Sequence, residues 1–180
     1  MLKWLIKNRM AAFEKRFGYD MTYARELLAT DTSAFFALAK IGKLSNYRRD
    51  APKELYWSAK LAAVLSEDCG PCTQLVASMA IADGVDGKAL ASVIANDRTA
   101  MTEQVALAVD FTRASIAHDI AADELRDKIV ATWGQRALIS LAFAITSARI
   151  YPTLKYALGH GKACQRVVID GKPVPVSRAA

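Results

Sequence analysis

Turn-forming residues are scarce in this chain, with nine glycines and five prolines among 180 residues. Together with abundant alanine, that scarcity argues against a strand-and-turn architecture and towards helix. Runs of like charge are missing too. The net charge is +6, but the lysines and arginines are scattered, with no basic stripe and no nucleic-acid motif. The charge therefore serves solubility, and nucleic acid is not an expected partner. Long apolar runs are absent. The longest uncharged apolar stretch, Ala137 to Ala148, lies between Arg136 and Arg149, too short to cross a bilayer. Met1 to Lys7 lacks the apolar run of a secretory signal, so no membrane association is expected. The three cysteines, an odd number with one close pair, do not make a disulfide framework. They point to a reducing, cytoplasmic setting with one functional pair. No flavin, haem or nucleotide motif is visible, so no cofactor is expected and electrons must come from a partner.

What is present is a folded, largely helical chain, 53% hydrophobic and 23% charged. The expected fold class is all-α, one domain over residues 1–180, with N-terminal helices in 1–50, a core in 51–160 and a tail in 161–180. Leu2, Leu5, Ile6, Met10, Phe13 and Phe17 form one stripe, and Gly18 stops that helix. The helix docks on its own domain or a partner subunit, or lies on a membrane surface. Asp20 and Thr32 are candidate caps of the next two helices. Pro52 opens a strong helix through about Glu67, with Trp57, Leu61, Val64 and Leu65 on its buried face. Further helices are expected from about Pro71 to Ala82, Lys88 to Ala95, Thr99 or Thr102 to Ala117, Asp119–Asp123 to Trp133, and from Gln135 onward. Pro152 should kink or restart the last, and Gly159 and Gly161 should end it. Asp170-Gly171 between Val167-Val168-Ile169 and Val174-Pro175-Val176 signals a hairpin, or an extended arm, at the tail.

Chemistry concentrates at Cys69-Gly70-Pro71-Cys72. At a helix start, free backbone N–H groups and the helix dipole favour a thiolate over a thiol. One cysteine of such a pair attacks and the other resolves the product. The same tetrapeptide occurs in the thioredoxin active site, but there a buried strand precedes it, whereas here Glu54 to Ser66 reads as helix.

From Pro52 to Gly159 the chain resembles the carboxymuconolactone decarboxylase / alkylhydroperoxidase D-like family. The likeness rests on Tyr56 to Val64, then Cys69 to Cys72, then Val105 to Thr112 and the apolar helix from Ala137. It implies an all-helical, homo-oligomeric protein that reduces peroxides or disulfides through its cysteines. Cys72 would be the peroxidatic residue and Cys69 the resolving one, with electrons from a lipoyl or thioredoxin-like protein. Two positions depart from the family's proton relay. Val76 stands where the family has a histidine four residues after the second cysteine. Trp57 stands where it has a glutamate twelve residues before the first. Neither carries a proton.

Several nearby residues are candidates to replace them. Glu67 and Asp68 directly precede Cys69 and either accept the thiol proton or cap the next helix. Gln74 either orients water or a peroxide, or is simply exposed. His160 and Cys164 complete a possible Cys₃His zinc set with Cys69 and Cys72, or supply a base and a third redox thiol, or sit at a helix end. His118 is expected in a solvent-facing loop. Tyr151, Lys155 and Tyr156 line a pocket or pack, with the lysine reaching outward. The competing functional reading is a non-catalytic helical oligomer whose CxxC is a redox-sensing or structural disulfide.

Overall fold

A computed structural model describes residues 2–163 and 166–177. The described residues form nine α-helices and one hairpin: α1 Leu2–Phe17, α2 Thr22–Thr30, α3 Thr32–Ser45, α4 Lys53–Leu65, α5 Gly70–Ala82, α6 Gly87–Ala95, α7 Glu103–Ala117, α8 Ala121–Trp133, α9 Gln135–Ala157, β1 Arg166–Ile169 and β2 Lys172–Pro175. A single 3₁₀ turn, Arg98–Ala100, precedes α7. The expected all-α class with a short hairpin tail is what the chain adopts.

The centre is α4. Every residue from Leu55 to Val64 is buried, because α5, α6, α7 and α9 pack around it. Ala59, Ala62 and Ala63 allow those neighbours close approach. The amphipathic pattern marked one buried face; the observed helix is enclosed on all sides, and Lys60 and Ser58 are enclosed with it. A second apolar cluster joins the N-terminal helices to this body: Met10, Tyr19, Tyr23, Ala24 and Leu28, with Phe13, Leu75 and Leu154 against them. Of the expected α1 stripe, Leu2 and Leu5 are exposed, and burial begins at Ile6.

Local signals explain most boundaries. Gly18, Gly134 and Gly159 take positive φ at helix ends. Asp31, not Thr32, caps α3 by accepting from Ser33 N and Ala34 N. Asp20 lies one residue before the N-cap of α2 and accepts from Thr22 N. Thr102 caps α7. The helix α9 continues through Pro152 rather than restarting there. Its walls hold it across the missing N–H, since Ala148, Pro152 and Lys155 are all buried. By length and composition, α9 is the one described helix long and apolar enough to cross a membrane, which corrects the expectation that this stretch is too short; its buried residues, among them Ala137, Leu141 and Ala148, face the protein interior.

The hairpin is antiparallel, pairing Arg166 with Pro175 and Ile169 with Lys172. Asp170 and Gly171 both take positive φ, as a two-residue type I′ turn needs. Val167 and Ile169 enter the main core, and Ser177 N donates to Ile94 O. Gln74 fastens the hairpin to α5: its Oε1 accepts from Val168 N at 2.7 Å and its Nε2 donates to Val168 O at 3.0 Å.

Candidate functional site

Cys69 is the N-cap of α5, in extended conformation, and its carbonyl accepts from Thr73 N and Thr73 Oγ1, each at 2.9 Å. Pro71 occupies the first turn, where its missing N–H is not needed. Cys72 follows in that turn. The two sulfurs are bonded as a disulfide, with the Cα atoms 5.3 Å apart. Both residues are buried, Cys69 at 0% and Cys72 at 4% exposure. The chain after α9 folds back over the motif: Gly70 N donates to Lys162 O at 2.9 Å, and Tyr156 Oη donates to Asp68 O at 2.9 Å. Gly161 lies so close to the Tyr156 ring that a Cβ there would overlap it.

The two cysteines differ in what they face. Cys72 borders a cavity of about 230 Å³, and Cys69 does not. The apolar part of its wall includes Phe13, Leu75, Val76 and Met79; the polar part includes Tyr19, Tyr23, Lys60 and Tyr151. Such a mix, mostly apolar with a few convergent polar groups, is what a small-molecule site requires.

Tyr19, from the turn between α1 and α2, brings its hydroxyl to 3.8 Å from Cys72 Sγ. Behind it, Lys155 Nζ donates to Tyr19 Oη at 3.5 Å and lies 4.8 Å from the centre of the Tyr19 ring and 5.5 Å from that of Tyr23. Lys155 is 4% exposed, so the expectation of an outward-reaching lysine is corrected: α9 turns it inward against the two rings. Burial pushes the Tyr19 phenol up to about 12, and pushes the Tyr23 and Tyr151 phenols up as well. Tyr19 therefore stays protonated at neutral pH. Burial lowers the Lys155 amine below the usual lysine range, a shift the Asp20 carboxylate opposes.

Lys60 is the second interior amine, 3% exposed. Its Nζ donates to Ser45 O at 2.6 Å and Ser45 Oγ at 2.7 Å, 5.4 Å from the Tyr56 ring centre and 5.1 Å from that of Trp57. Burial lowers it to about 8.

Other residues singled out from the sequence are placed as follows. The Glu67 carboxylate meets Arg149 Nε at 2.5 Å and Thr153 Oγ1 at 3.2 Å. His160 Nε2 pairs with Glu26 Oε2 at 2.9 Å. Asp68 ends the α4 turn with positive φ. Gln74 is committed to the hairpin. Val76 borders the cavity, while Trp57 Nε1 donates to Asp83 Oδ2 at 2.8 Å. His118 is exposed at the C-terminal cap of α7. Tyr151 borders the cavity and Tyr156 is largely exposed. Cys164 lies outside the described residues. Among the described residues no group of three or more His, Cys, Asp or Glu side chains is arranged to hold a metal ion. Among them, too, the hydroxyl beside a cysteine sulfur belongs to Tyr19, a residue the sequence reading passed over. It stands in a turn, where periodicity carries no signal. Comparison with family models, curated proteins and solved structures returns no match for this chain.

Proposed function

We propose that the chain is a thiol-dependent peroxidase or disulfide reductase of the alkylhydroperoxidase D-like kind, working through Cys72 and Cys69. The observation that carries this reading is the exposure of Cys72, alone of the pair, to a mostly apolar cavity at a helix N-terminus. A thiolate there is favoured by the first-turn N–H groups and the helix dipole.

The reaction balances without a cofactor. Cys72 thiolate forms an S–O bond with the distal peroxide oxygen as the O–O bond breaks, and the departing alkoxide takes a proton to become an alcohol. Cys69 thiol displaces hydroxide from the sulfenic acid, giving the observed disulfide and water. An external dithiol, of the lipoyl or thioredoxin-like type, then returns both cysteines to thiols and is itself oxidised to a disulfide. The apolar groove between α7 and α9, about 720 Å³, and the exposed Leu2, Trp4 and Leu5 of α1 support self-association as part of the same reading.

The burial of both cysteines favours a second reading, a structural or redox-sensing disulfide in a non-catalytic helical oligomer. Hydroperoxide consumption with a small dithiol as electron donor separates the two. Wild-type protein should turn over, and Cys72→Ser should lose at least about a hundredfold in rate. Equal, negligible rates for both would sink the peroxidase reading and leave the structural one.

A further inference from the structure

We propose that Tyr19 is the catalytic hydrogen-bond donor to the Cys72 sulfur and that Lys155 is the positioning cation behind it. Together they form a proton relay that takes the place of the absent histidine and glutamate. The proposal rests on the thiol chemistry of Cys72 set out above.

Three facts of geometry support it. First, a disulfide sulfur has no hydrogen, so in the 3.8 Å contact with Cys72 Sγ the hydroxyl of Tyr19 is the donor. Second, Tyr19 Oη accepts from Lys155 Nζ at 3.5 Å, which leaves the Tyr19 proton free to be given to sulfur. Third, Lys155 borders a second cavity of about 160 Å³, shared with Asp20, Tyr23, Pro71, His160 and Lys162. Lys155 thus links Tyr19, in the wall of the Cys72 cavity, to a polar cavity beside the exposed Gly159 and Lys162. Cys72, Tyr19 and Lys155 are all buried, so the interactions are little weakened by water.

The relay has a defined task at each stage. With Cys72 reduced, the Tyr19 O–H, held by Lys155, stabilises the thiolate. As the O–O bond breaks, the Tyr19 proton passes to the departing alkoxide, a Lys155 N–H proton replaces it on Tyr19, and solvent returns a proton to Lys155 through the second cavity. Net, the proton lost by the Cys72 thiol to solvent reappears on the alcohol. The charged and titratable groups around the relay are Asp20, which faces both members, Tyr23 and Tyr151 beside Tyr19, and Lys162 and His160 beside Lys155, with Lys60 across the Cys72 cavity.

The test is the pH–rate profile of iodoacetamide alkylation at Cys72, in reduced Cys69→Ser/Cys164→Ser protein so that Cys72 is the sole thiol. Tyr19→Phe in that background should move the midpoint up by about one pH unit, a roughly tenfold slower alkylation at neutral pH. Lys155→Met should move it the same way, and adding it to Tyr19→Phe should add little, because it acts through the hydroxyl. Lys155→Arg should restore part of the shift. Circular dichroism establishes which variants are folded. An unchanged midpoint in a folded Tyr19→Phe or Lys155→Met protein would overturn the relay. Alkylation does not depend on peroxide turnover. An unchanged profile with turnover intact therefore removes the relay alone, and a shifted profile without turnover removes the peroxidase reading alone.

Discussion

In Cys69→Ser protein, one equivalent of hydroperoxide should convert Cys72 to a sulfenic acid that persists and is captured by a 1,3-dicarbonyl trapping reagent. In Cys72→Ser protein, Cys69 should remain a thiol under the same conditions. The contrast is all-or-none because access is. Cys72 borders the cavity where a peroxide would sit, and Cys69 is wholly buried at the N-cap of α5. Removing Cys69 takes away the group that would condense with the sulfenic acid, so the oxidised species accumulates. Peptide mass spectrometry reads the site directly. Trapping at Cys69 instead of Cys72 would reverse the assigned roles.

A stability effect of comparable clarity is expected at Lys60. Its folded-state value of about 8 lies below the ordinary lysine value of 10.5, because burial penalises the charged form. Between those two values the unfolded chain binds more protons at this site than the folded one, so this lysine's contribution to stability rises with pH. Below about pH 8 the penalty is present in full, about 3 kcal/mol, and it fades as pH approaches 10.5. Wild-type protein should therefore gain about 2 kcal/mol of unfolding free energy relative to Lys60→Met between about pH 7 and pH 10. Urea titrations of both proteins at each pH give the difference. Referring each value to the variant cancels the opposing effect of Tyr19 and Tyr56, whose values near 12 favour unfolding above about pH 10. A constant difference across that range would show that Lys60 is not held in a desolvated site.

Much of this architecture is legible in the residues. Helix order follows from apolar periodicity, helix ends from Gly18, Gly134 and Gly159, and the hairpin from Asp170-Gly171. Those are local signals, and local signals set local structure. The Cys69–Cys72 pair is legible for the same reason, since its members lie one helical turn apart.

The surroundings of the sulfur are a different matter. Tyr19 reaches Cys72 across 53 positions and Lys155 across 136, so neither contact leaves a trace in spacing. Lys60 and Lys155 read as surface residues by type. They are interior because α3 brings Ser45 over the one and the tyrosines of the N-terminal segment cover the other. Nearness along the chain pointed to Glu67, and its spacing with Cys164 pointed to His160; their side chains meet Arg149 and Glu26. The N-terminal fifty residues, which carry no part of the family resemblance, supply Tyr19 and much of the cavity wall, including Phe13 and Tyr23. Of the two departures, Val76 borders the cavity, whose polar groups come from elsewhere in the chain, and Trp57 lies outside its wall, bonded to Asp83.

The most direct measurement is a single turnover. Fully reduced wild-type protein is mixed with one equivalent of an organic hydroperoxide, and free thiols, residual peroxide and alcohol are quantified together. One peroxide and two thiols should be lost per chain, one alcohol formed, and a peptide linked through Cys69 and Cys72 recovered. Peroxide left intact, with the thiol count unchanged, would contradict the peroxidase reading.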